Sequence, residues 1–340
     1  MPTLIDFQPV DPKHEFPHEY PRDASYALTE THYFGAQLLE PDLDCEIYVW
    51  YHPTLRVVSA GVFCFSGLAS THMASDYFDY QVYLPWPTVT GRSIRFVNDL
   101  ELIIEEPLQR IRVLYRNEAR GVNLDLLYTA VMPAVARRRA MHNEAVQQAA
   151  YDVGGFEQTM HVQGEIRLGQ RHQVVDTYFV RDRSYGQIRS EAPASGPPFG
   201  WQAAAFDKDF SFGILGVEDP RLGPNWAAEF AVPPDKTLFS GWVCREGKVY
   251  EVKRLSRLMQ REDNGIWPTS GEFVFEDSTG QAFSIRSRIV AVEPWGPWPN
   301  MQLAWCLTRF EMDGSVAAGT TQEILLQDFC RKFYRARQAR

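Results

Sequence analysis

A chain of 340 residues, 45% of them hydrophobic, has enough apolar surface for one large β unit or two packed domains, and this excludes global disorder. The formal net charge of −9 argues against nucleic acid as a partner, because phosphate binding requires a basic surface. The sequence shows no secretory signal and no run of about 18 apolar residues that could cross a bilayer. We therefore expect a cytoplasmic protein without a transmembrane segment.

The first half of the chain predicts antiparallel strands. After a lead-in rich in proline and charge, apolar and aromatic segments follow at a spacing of roughly ten residues. In "RIRVLY", for example, Ile111, Val113 and Tyr115 point one way, and Arg110 and Arg112 point the other. Turn segments such as "PTVTG" and "NEARG" separate these runs. Short strands at this spacing indicate a sandwich or a barrel.

One segment in the middle of the chain breaks this pattern. "PAVARRRAMHNEAVQQAAYDVGG" has Pro133 at its start and Gly154 near its end, and it is rich in Ala, Gln, Arg and Glu. Proline in the first turn and glycine just after the last turn are typical of a helix. The sequence predicts one helix near residues 133–152.

Strand patterns resume and continue to the C-terminal region. "SEAPASGPPFG", residues 190–200, is dense in Pro, Gly, Ser and Ala and is the best linker in the chain. A helix is expected from about Thr321 to Gln338. The sequence thus predicts an N-terminal β domain over 1–189, a joint over 190–200 and a C-terminal β domain over 201–340 that ends in a helix.

Neither the cysteines nor the histidines predict a metal site. The 5 cysteines are scattered and form no C-x-x-C pair. "HEFPH", from His14 to His18, fits H-E-x-x-H in its letters, but Pro17 prevents the helix that this motif needs. No phosphate-binding or dinucleotide-binding glycine motif is present. We expect a polar N-terminal loop, no metal and no cofactor.

The segment "VDTYFVRDRSYGQIRS", residues 175–190, places many charges at the end of an apolar strand. Because neighbours on a strand point to opposite faces, Asp182 faces one way and Arg181 and Arg183 the other. If the Asp182 face lines a barrel interior, this carboxyl is a candidate general acid, unless Arg189 or another arginine holds it ionised. The alternative is structural: the charges fix the packing of two barrels.

The residues from Phe156 to Arg189 resemble the centre of the carotenoid 1,2-hydratase (hydroxyneurosporene synthase) and AttH-like superfamily. That family reads approximately Q-x-G-x-V-x-G-x-I, followed by G-x-G-x-R-D-H-S-W-G-x-R. The closing "WCLTRFEMDGSVAAGTTQE" also resembles the last hairpin of the family. The matching positions are Gln158, Gly164, Ile166, Arg181, Asp182, Ser184 and Gly186.

The chain departs from this pattern at chemically important places. Arg183 stands where the family has histidine, and Tyr185 where it has tryptophan. A guanidinium stays protonated, so Arg183 cannot replace a histidine in proton transfer. The other departures are Met160, Thr177 and Phe179 in place of glycines, and Ile188 in place of the last arginine, with Arg189 one position later.

The resemblance implies a mainly β protein of two consecutive lipocalin-like antiparallel β-barrels or sandwiches. It implies a cofactor-independent enzyme, a lyase or an isomerase/cyclase, that hydrates, dehydrates, isomerises or cyclises a hydrophobic terpenoid, polyketide or aromatic compound by proton transfer. A non-catalytic lipocalin-like carrier of an apolar ligand is the alternative, and a scaffold with solidly packed barrels is a third. Whether the chain forms a homodimer is left open.

The candidate site residues come from the central motif and from nearby aromatic and polar positions. Aromatic rings can orient a substrate and stabilise positive charge through their faces. The candidate catalytic residues are Asp182, Tyr185, Tyr178 and Arg183. The candidate substrate-binding residues are Arg181, Arg189, His161, Glu157, Trp201 and Trp295.

Overall fold

The computed structural model describes residues 5–6, 8–137, 151–189, 191–218, 232–262 and 266–338, which are mainly β. The first sheet consists of β1 (Ile5–Asp6), β2 (Leu28–Leu38), β3 (Leu43–His52), β4 (Val57–Ser66), β5 (Tyr77–Pro85), β6 (Thr88–Thr90), β7 (Ser93–Arg95), β8 (Leu100–Glu106), β9 (Arg110–Asn117), β10 (Val122–Ala130), β11 (Val135–Arg137), β12 (Gly154–Leu168) and β13 (Arg171–Ile188). The second consists of β14 (Phe199–Ala205), β15 (Phe210–Val217), β16 (Leu238–Arg245), β17 (Lys248–Arg261), β18 (Pro268–Asp277), β19 (Ala282–Glu293), β20 (Met301–Met312) and β21 (Ser315–Leu326). Short 3₁₀ helices are Pro12–Glu15, Pro53–Leu55, His72–Ala74, Glu118–Arg120 and Pro234–Lys236, and the α-helix α1 is Gln327–Gln338.

The two sheets differ in how far they close. In the first, the main strand order is β5-β4-β3-β2-β13-β12-β10-β9-β8-β7-β6. This sheet curls like half of a barrel, since the hydroxyl of Tyr77 on β5 contacts that of Tyr115 on the distant β9. In the second, β14 pairs with both β15 and β21, so the eight strands form a closed barrel.

Strands β2 to β4 are buried on both faces. Their side chains are almost continuously buried, whereas β9 alternates between exposed and buried positions. An antiparallel strand alternates when one face meets water and becomes uniformly buried when both faces are covered. One face of β2–β4 lines the inside of the curled sheet, and the other packs against the barrel. Tyr33, Trp201 and Trp305 accordingly share one hydrophobic core across the two sheets.

The mainly β, tandem lipocalin-like architecture predicted from the sequence is confirmed. The helix predicted near 133–152 is wrong at its start, because Val135–Arg137 form β11, which pairs with β12; residues 138–150 lie outside the described residues. The C-terminal helix begins at Gln327 rather than near Thr321. Residues 321–326 instead complete β21, whose pairing with β14 closes the barrel.

Candidate functional site

One face of the first sheet points towards the barrel and carries several acidic side chains. Asp182 on β13 lies opposite Tyr33 on β2, and Glu157 on β12 lies opposite Asp182. Asp44 and Glu46 on β3 share this face, because side chains two residues apart point the same way. We call this surface the interface face. It packs against tryptophans of the barrel.

Asp44 and Glu46 form a carboxyl pair that is fully buried at this interface. Both residues are 0% exposed. The Tyr33 hydroxyl donates to Glu46 Oε1 at 2.7 Å, and Gln37 Nε2 donates to Asp44 Oδ2 at 3.3 Å. Among the described residues, Asp44 Oδ1 and Glu46 Oε2 have no hydrogen-bond partner, and neither carboxyl has a salt bridge. Two adjacent acids without a cation favour a shared proton.

The electrostatics of the pair follow from burial. Burial raises the pKa of Asp44 to about 7, although hydrogen bonds from Gln37, Glu46 and the Cys45 backbone lower it. Burial, followed by the charge of Asp44, raises the pKa of Glu46 well above its ordinary value. Burial and the charge of Asp44 therefore both favour the protonated form of Glu46. A carboxyl that is kept neutral in an apolar site can donate a proton.

Aromatic rings surround the carboxyl pair. The Trp305 ring lies 5.4 Å from that of Tyr33, 5.6 Å from that of Tyr48 and 5.4 Å from that of Phe63, measured between centroids. Trp201 lies 5.9 Å from Tyr33. Such ring faces exclude water and can stabilise a positive charge.

Two indole N–H groups nearby, those of Trp50 and Trp298, are buried without a partner among the described residues. Their rings lie 5.4 Å apart. Buried donors are normally satisfied, so each unpartnered one calls for an explanation. These two donors give the interface unused hydrogen-bonding capacity.

Asp182 is not the isolated acid that the sequence suggested. It forms a salt bridge with Arg137, whose Nε also lies 3.5 Å from Glu157 Oε1. Trp242 of the barrel donates its indole N–H to Glu157 Oε2 at 2.7 Å. The open alternative, in which an arginine pairs with Asp182, is the one observed, with Arg137 in that role. This group therefore links the first sheet to the barrel.

Arg181 and Arg183 lie on the opposite face of β13, as the strand alternation predicted, and both are fully buried. Arg181 binds the Glu15 carboxylate through two nitrogens, and Arg183 forms a salt bridge with Glu30. Arg183 also donates to the carbonyl of His14 at 3.0 Å. These ion pairs hold the N-terminal segment inside the curled sheet. These arginines therefore have a structural role, as the alternative hypothesis expected. They stabilise the first sheet, however, and do not join it to the barrel.

The remaining residues of the central motif lie away from the carboxyl pair. Tyr185 stacks on His14 with ring centroids 4.2 Å apart, and burial raises its pKa to about 12. His161 Nε2 is 2.6 Å from Asp176 Oδ1, and its ring lies 5.2 Å from that of Tyr178. Tyr178 is four residues, or about 13 Å, along the strand from Asp182. The structure thus divides the predicted site.

Arg189, Trp201 and Trp295 do reach the interface. The Arg189 guanidinium lies over Trp298 at 5.0 Å, and its Nη1 is 3.4 Å from the Tyr48 hydroxyl. The Trp295 carbonyl accepts from the Trp305 indole at 2.6 Å. Trp295 belongs to the loop "EPWGPWPN", which covers this side of the interface.

A separate polar groove follows the open seam of the curled sheet. Two adjoining cavities of 810 and 1010 Å³ share Asp79, Gln81 and Asn117 as lining residues. Asp79 Oδ2 accepts from Tyr115 at 2.5 Å, from Tyr77 at 3.3 Å and from Asn117 at 3.4 Å. Because its neighbours saturate this carboxylate, the groove offers less acid–base chemistry than the interface.

Sequence reasoning missed Asp44 and Glu46, although a signal was present. In "LDCEIYVWYH" they are the only two acids of an otherwise apolar strand, and they are two residues apart. Acids at such a spacing share one face, and within a buried strand that face cannot meet water. Two acids on one face of a buried strand therefore indicate a candidate functional site rather than a solvent-exposed edge.

Comparison with known proteins places the chain in a family. The sequence model described as "Domain of unknown function (DUF7064)" matches residues 11–324. The chain belongs to this family. No curated protein matches it.

Solved structures extend the comparison of this DUF7064 protein to the fold. An AttH-type protein from Nitrosomonas europaea is similar with a TM-score of 0.54 and 12% identity, over 96% of this chain and 99% of that one. CghA is similar with a TM-score of 0.54 and 10% identity, over 88% of each chain. The resemblance to the AttH-like superfamily is therefore confirmed for the fold. No helix in the described part of the chain is both long and apolar enough to cross a membrane.

Proposed function

We propose that this DUF7064 protein is a cofactor-independent enzyme that transfers a proton to a hydrophobic small molecule. The reaction belongs to the hydration, dehydration, isomerisation or cyclisation class. Glu46 is the general acid, Asp44 holds the proton within the pair, and Tyr33 orients Glu46 through its hydrogen bond. The substrate enters between the interface face and the tryptophans of the barrel, where the rings of Tyr33 and Trp305, 5.4 Å apart in this structure, must separate to admit it.

The observation that carries this proposal is the carboxyl pair itself. A buried Asp–Glu pair with no cation is destabilising, since desolvation penalises each charge. Perturbed carboxyls of this kind occur mainly at functional sites. The pair, Tyr33 and the surrounding indoles provide an acid, an orienting group and an apolar wall in one place. CghA, which has a similar fold, has been solved with the compound Sch210972.

The proposed step is balanced without a redox partner. The Glu46 carboxyl gives its proton to a carbon of a C=C bond, and the positive charge that forms on the substrate lies against the rings of Trp305 and Tyr48. Loss of a proton from a neighbouring carbon back to the carboxylate gives an isomer. Attack by an internal double bond closes a ring and moves the positive charge to a ring carbon, whose neighbouring carbon then loses a proton to the Glu46 carboxylate. Attack by water, followed by return of one of its protons to the carboxylate, gives a hydrate. Each route regenerates the acid.

The carrier is the second candidate because Asp182 is paired with Arg137 and is not an isolated acid. A carrier needs only the apolar wall and the unpartnered donors of Trp50 and Trp298. It does not need Asp44 or Glu46, which would weaken the binding of an apolar ligand. The carboxyl pair therefore favours the enzyme.

The test begins with a ligand and ends with turnover. Native mass spectrometry of the protein incubated with its own host's extract identifies the apolar molecule that it retains. The wild type is expected to convert that molecule, and Glu46→Gln to retain it while turnover falls about a hundredfold, since a positioned acid contributes at least that much.

Asp182→Asn serves as the matched control, because it removes a carboxylate on the same face that is already paired with Arg137. Its turnover should stay within a few-fold of the wild type. If Asp182→Asn abolishes turnover while Glu46→Gln does not, the acid has been assigned wrongly. If the wild type retains the ligand unchanged, the protein is a carrier.

A further inference from the structure

We propose that His14, His18 and Asp152 bind a zinc ion that connects the N-terminal segment to the start of β12. One ligand atom from each of these residues lies within 4.8 Å of the other two. His14 belongs to the 3₁₀ helix Pro12–Glu15, His18 follows it, and Asp152 lies just before β12. Two imidazole nitrogens and one carboxylate oxygen are a ligand set that Zn²⁺ accepts, with a fourth position for water.

The spacing of the two histidines does not depend on an α-helix. Pro17 rules out the helical H-E-x-x-H arrangement, but the 3₁₀ helix folds the segment back so that His14 Nδ1 lies 2.7 Å from His18 Nε2. On zinc, with metal–nitrogen distances of about 2.0–2.1 Å, these atoms would lie about 3.4 Å apart. A shift of less than 1 Å between the two imidazoles brings their nitrogens to this separation.

The surroundings prepare His18 to act as a ligand. Its Nδ1 is 2.9 Å from Glu30 Oε1, so Nδ1 carries the proton and Nε2 presents its lone pair to His14 and Asp152. A carboxylate behind a metal-binding histidine fixes its tautomer and raises its basicity. Glu30 is itself held by Arg183 and Tyr20.

The charged groups around Asp152 are compatible with a bound zinc ion. Lys13 Nζ lies 2.9 Å from Asp152 and 3.6 Å from Asp11, and its side chain is 56% exposed. A lysine that already neutralises Asp152 shows that this position attracts positive charge. When zinc binds Asp152, the flexible Lys13 side chain retains Asp11 as its partner.

Full-length, metal-free protein titrated with Zn²⁺ alone in a calorimeter tests the proposal. One Zn²⁺ per chain should bind, with Mg²⁺ giving no heat because it prefers oxygen ligands. His14→Gln and His18→Gln should each abolish stoichiometric binding, and Asp152→Asn should weaken it by roughly tenfold or more. The thermal midpoint of the wild type should rise with zinc, because a ligand that binds only the folded state stabilises it.

His172→Gln is the matched control, since His172 also lies beside a carboxylate, 3.1 Å from Glu165, but has no second imidazole beside it among the residues that the structure describes. It should bind zinc like the wild type. The circular dichroism and the thermal midpoint of each variant in chelator show that it is folded. Asp152 is half exposed, so Asp152→Asn remains usable if a histidine variant does not fold. The proposal is overturned if the wild type binds no stoichiometric zinc, or if binding is unchanged in Asp152→Asn and in the folded histidine variants.

Discussion

Replacement of Arg183 by methionine is expected to lower the free energy of unfolding by about 3–5 kcal/mol, because it leaves a buried carboxylate without its partner. Arg183 and Glu30 are both 0% exposed. Burial alone would raise the pKa of Glu30, but the charge of Arg183 and hydrogen bonds from His18 and Tyr20 lower it. Glu30 is therefore ionised in the folded protein and depends on Arg183.

Arg183 also donates hydrogen bonds to backbone carbonyls. It donates to the carbonyls of Phe16 at 3.0 Å, Thr31 at 3.1 Å and Ser184 at 2.6 Å. Urea unfolding monitored by circular dichroism measures the effect. The double variant Arg183→Met with Glu30→Gln should recover the part of the loss that comes from the stranded charge.

Arg112→Met provides the matched control for this prediction. Arg112 pairs with Asp125 at 2.6 Å, but both side chains are more than a third exposed. Exposed pairs contribute roughly 0–1 kcal/mol, so this variant should be almost as stable as the wild type. An equally small effect of Arg183→Met would contradict the buried pair and would leave Arg183 free for the catalytic role suggested by the sequence.

The second large effect on the free energy of unfolding is expected at Asp44, and its size depends on pH. The pKa of Asp44 in the folded protein is about 7, above its ordinary value of 3.8. Between pH 4 and pH 7 the folded protein therefore binds a proton at Asp44 that the unfolded chain has released. This contribution to stability is fully present below about pH 4 and is lost as the pH rises through 7. A shift of about three pKa units corresponds to an upper limit of about 4 kcal/mol.

Asp44→Asn isolates this contribution because it keeps the shape of the protonated acid. The free energy of unfolding of the variant, minus that of the wild type, should increase between pH 4 and pH 8 by an amount approaching that limit. Urea unfolding at several pH values measures it. Asp125→Asn is the control, because its carboxylate is exposed beside Arg112. A difference that stays flat with pH in Asp44→Asn would mean that Asp44 is already ionised at low pH.

The sequence predicted the parts of this structure that depend on local rules. The alternation along β13 correctly separated Asp182 from Arg181 and Arg183, because a strand has a period of two. Turn signals and aromatic alternation predicted two successive antiparallel sheets. Residues 135–137 were assigned to a helix on local composition, yet pairing with β12 made them a strand, and tertiary pairing outweighs weak propensity.

The partners of the charged groups could not be predicted, since they lie far away in the sequence. Asp182 forms a salt bridge with Arg137. Arg183 forms one with Glu30, which lies 153 positions earlier in the sequence. Alternation shows that two side chains share a face, but not whether that face meets water, a barrel interior or a second sheet. Asp44 and Glu46 were overlooked because their importance depends on the barrel that covers β3.

The central claim is that Glu46 is a neutral acid at the interface, and infrared difference spectroscopy tests it most directly. The spectrum of Glu46→Gln is subtracted from that of the wild type near pH 7, with Asp182→Asn as the control. We predict the carbonyl band of a protonated carboxylic acid in the wild type, its loss in Glu46→Gln and its retention in Asp182→Asn. If the difference spectrum instead shows only the bands of a carboxylate, Glu46 is ionised in the wild type. The proposed proton transfer would then have no donor.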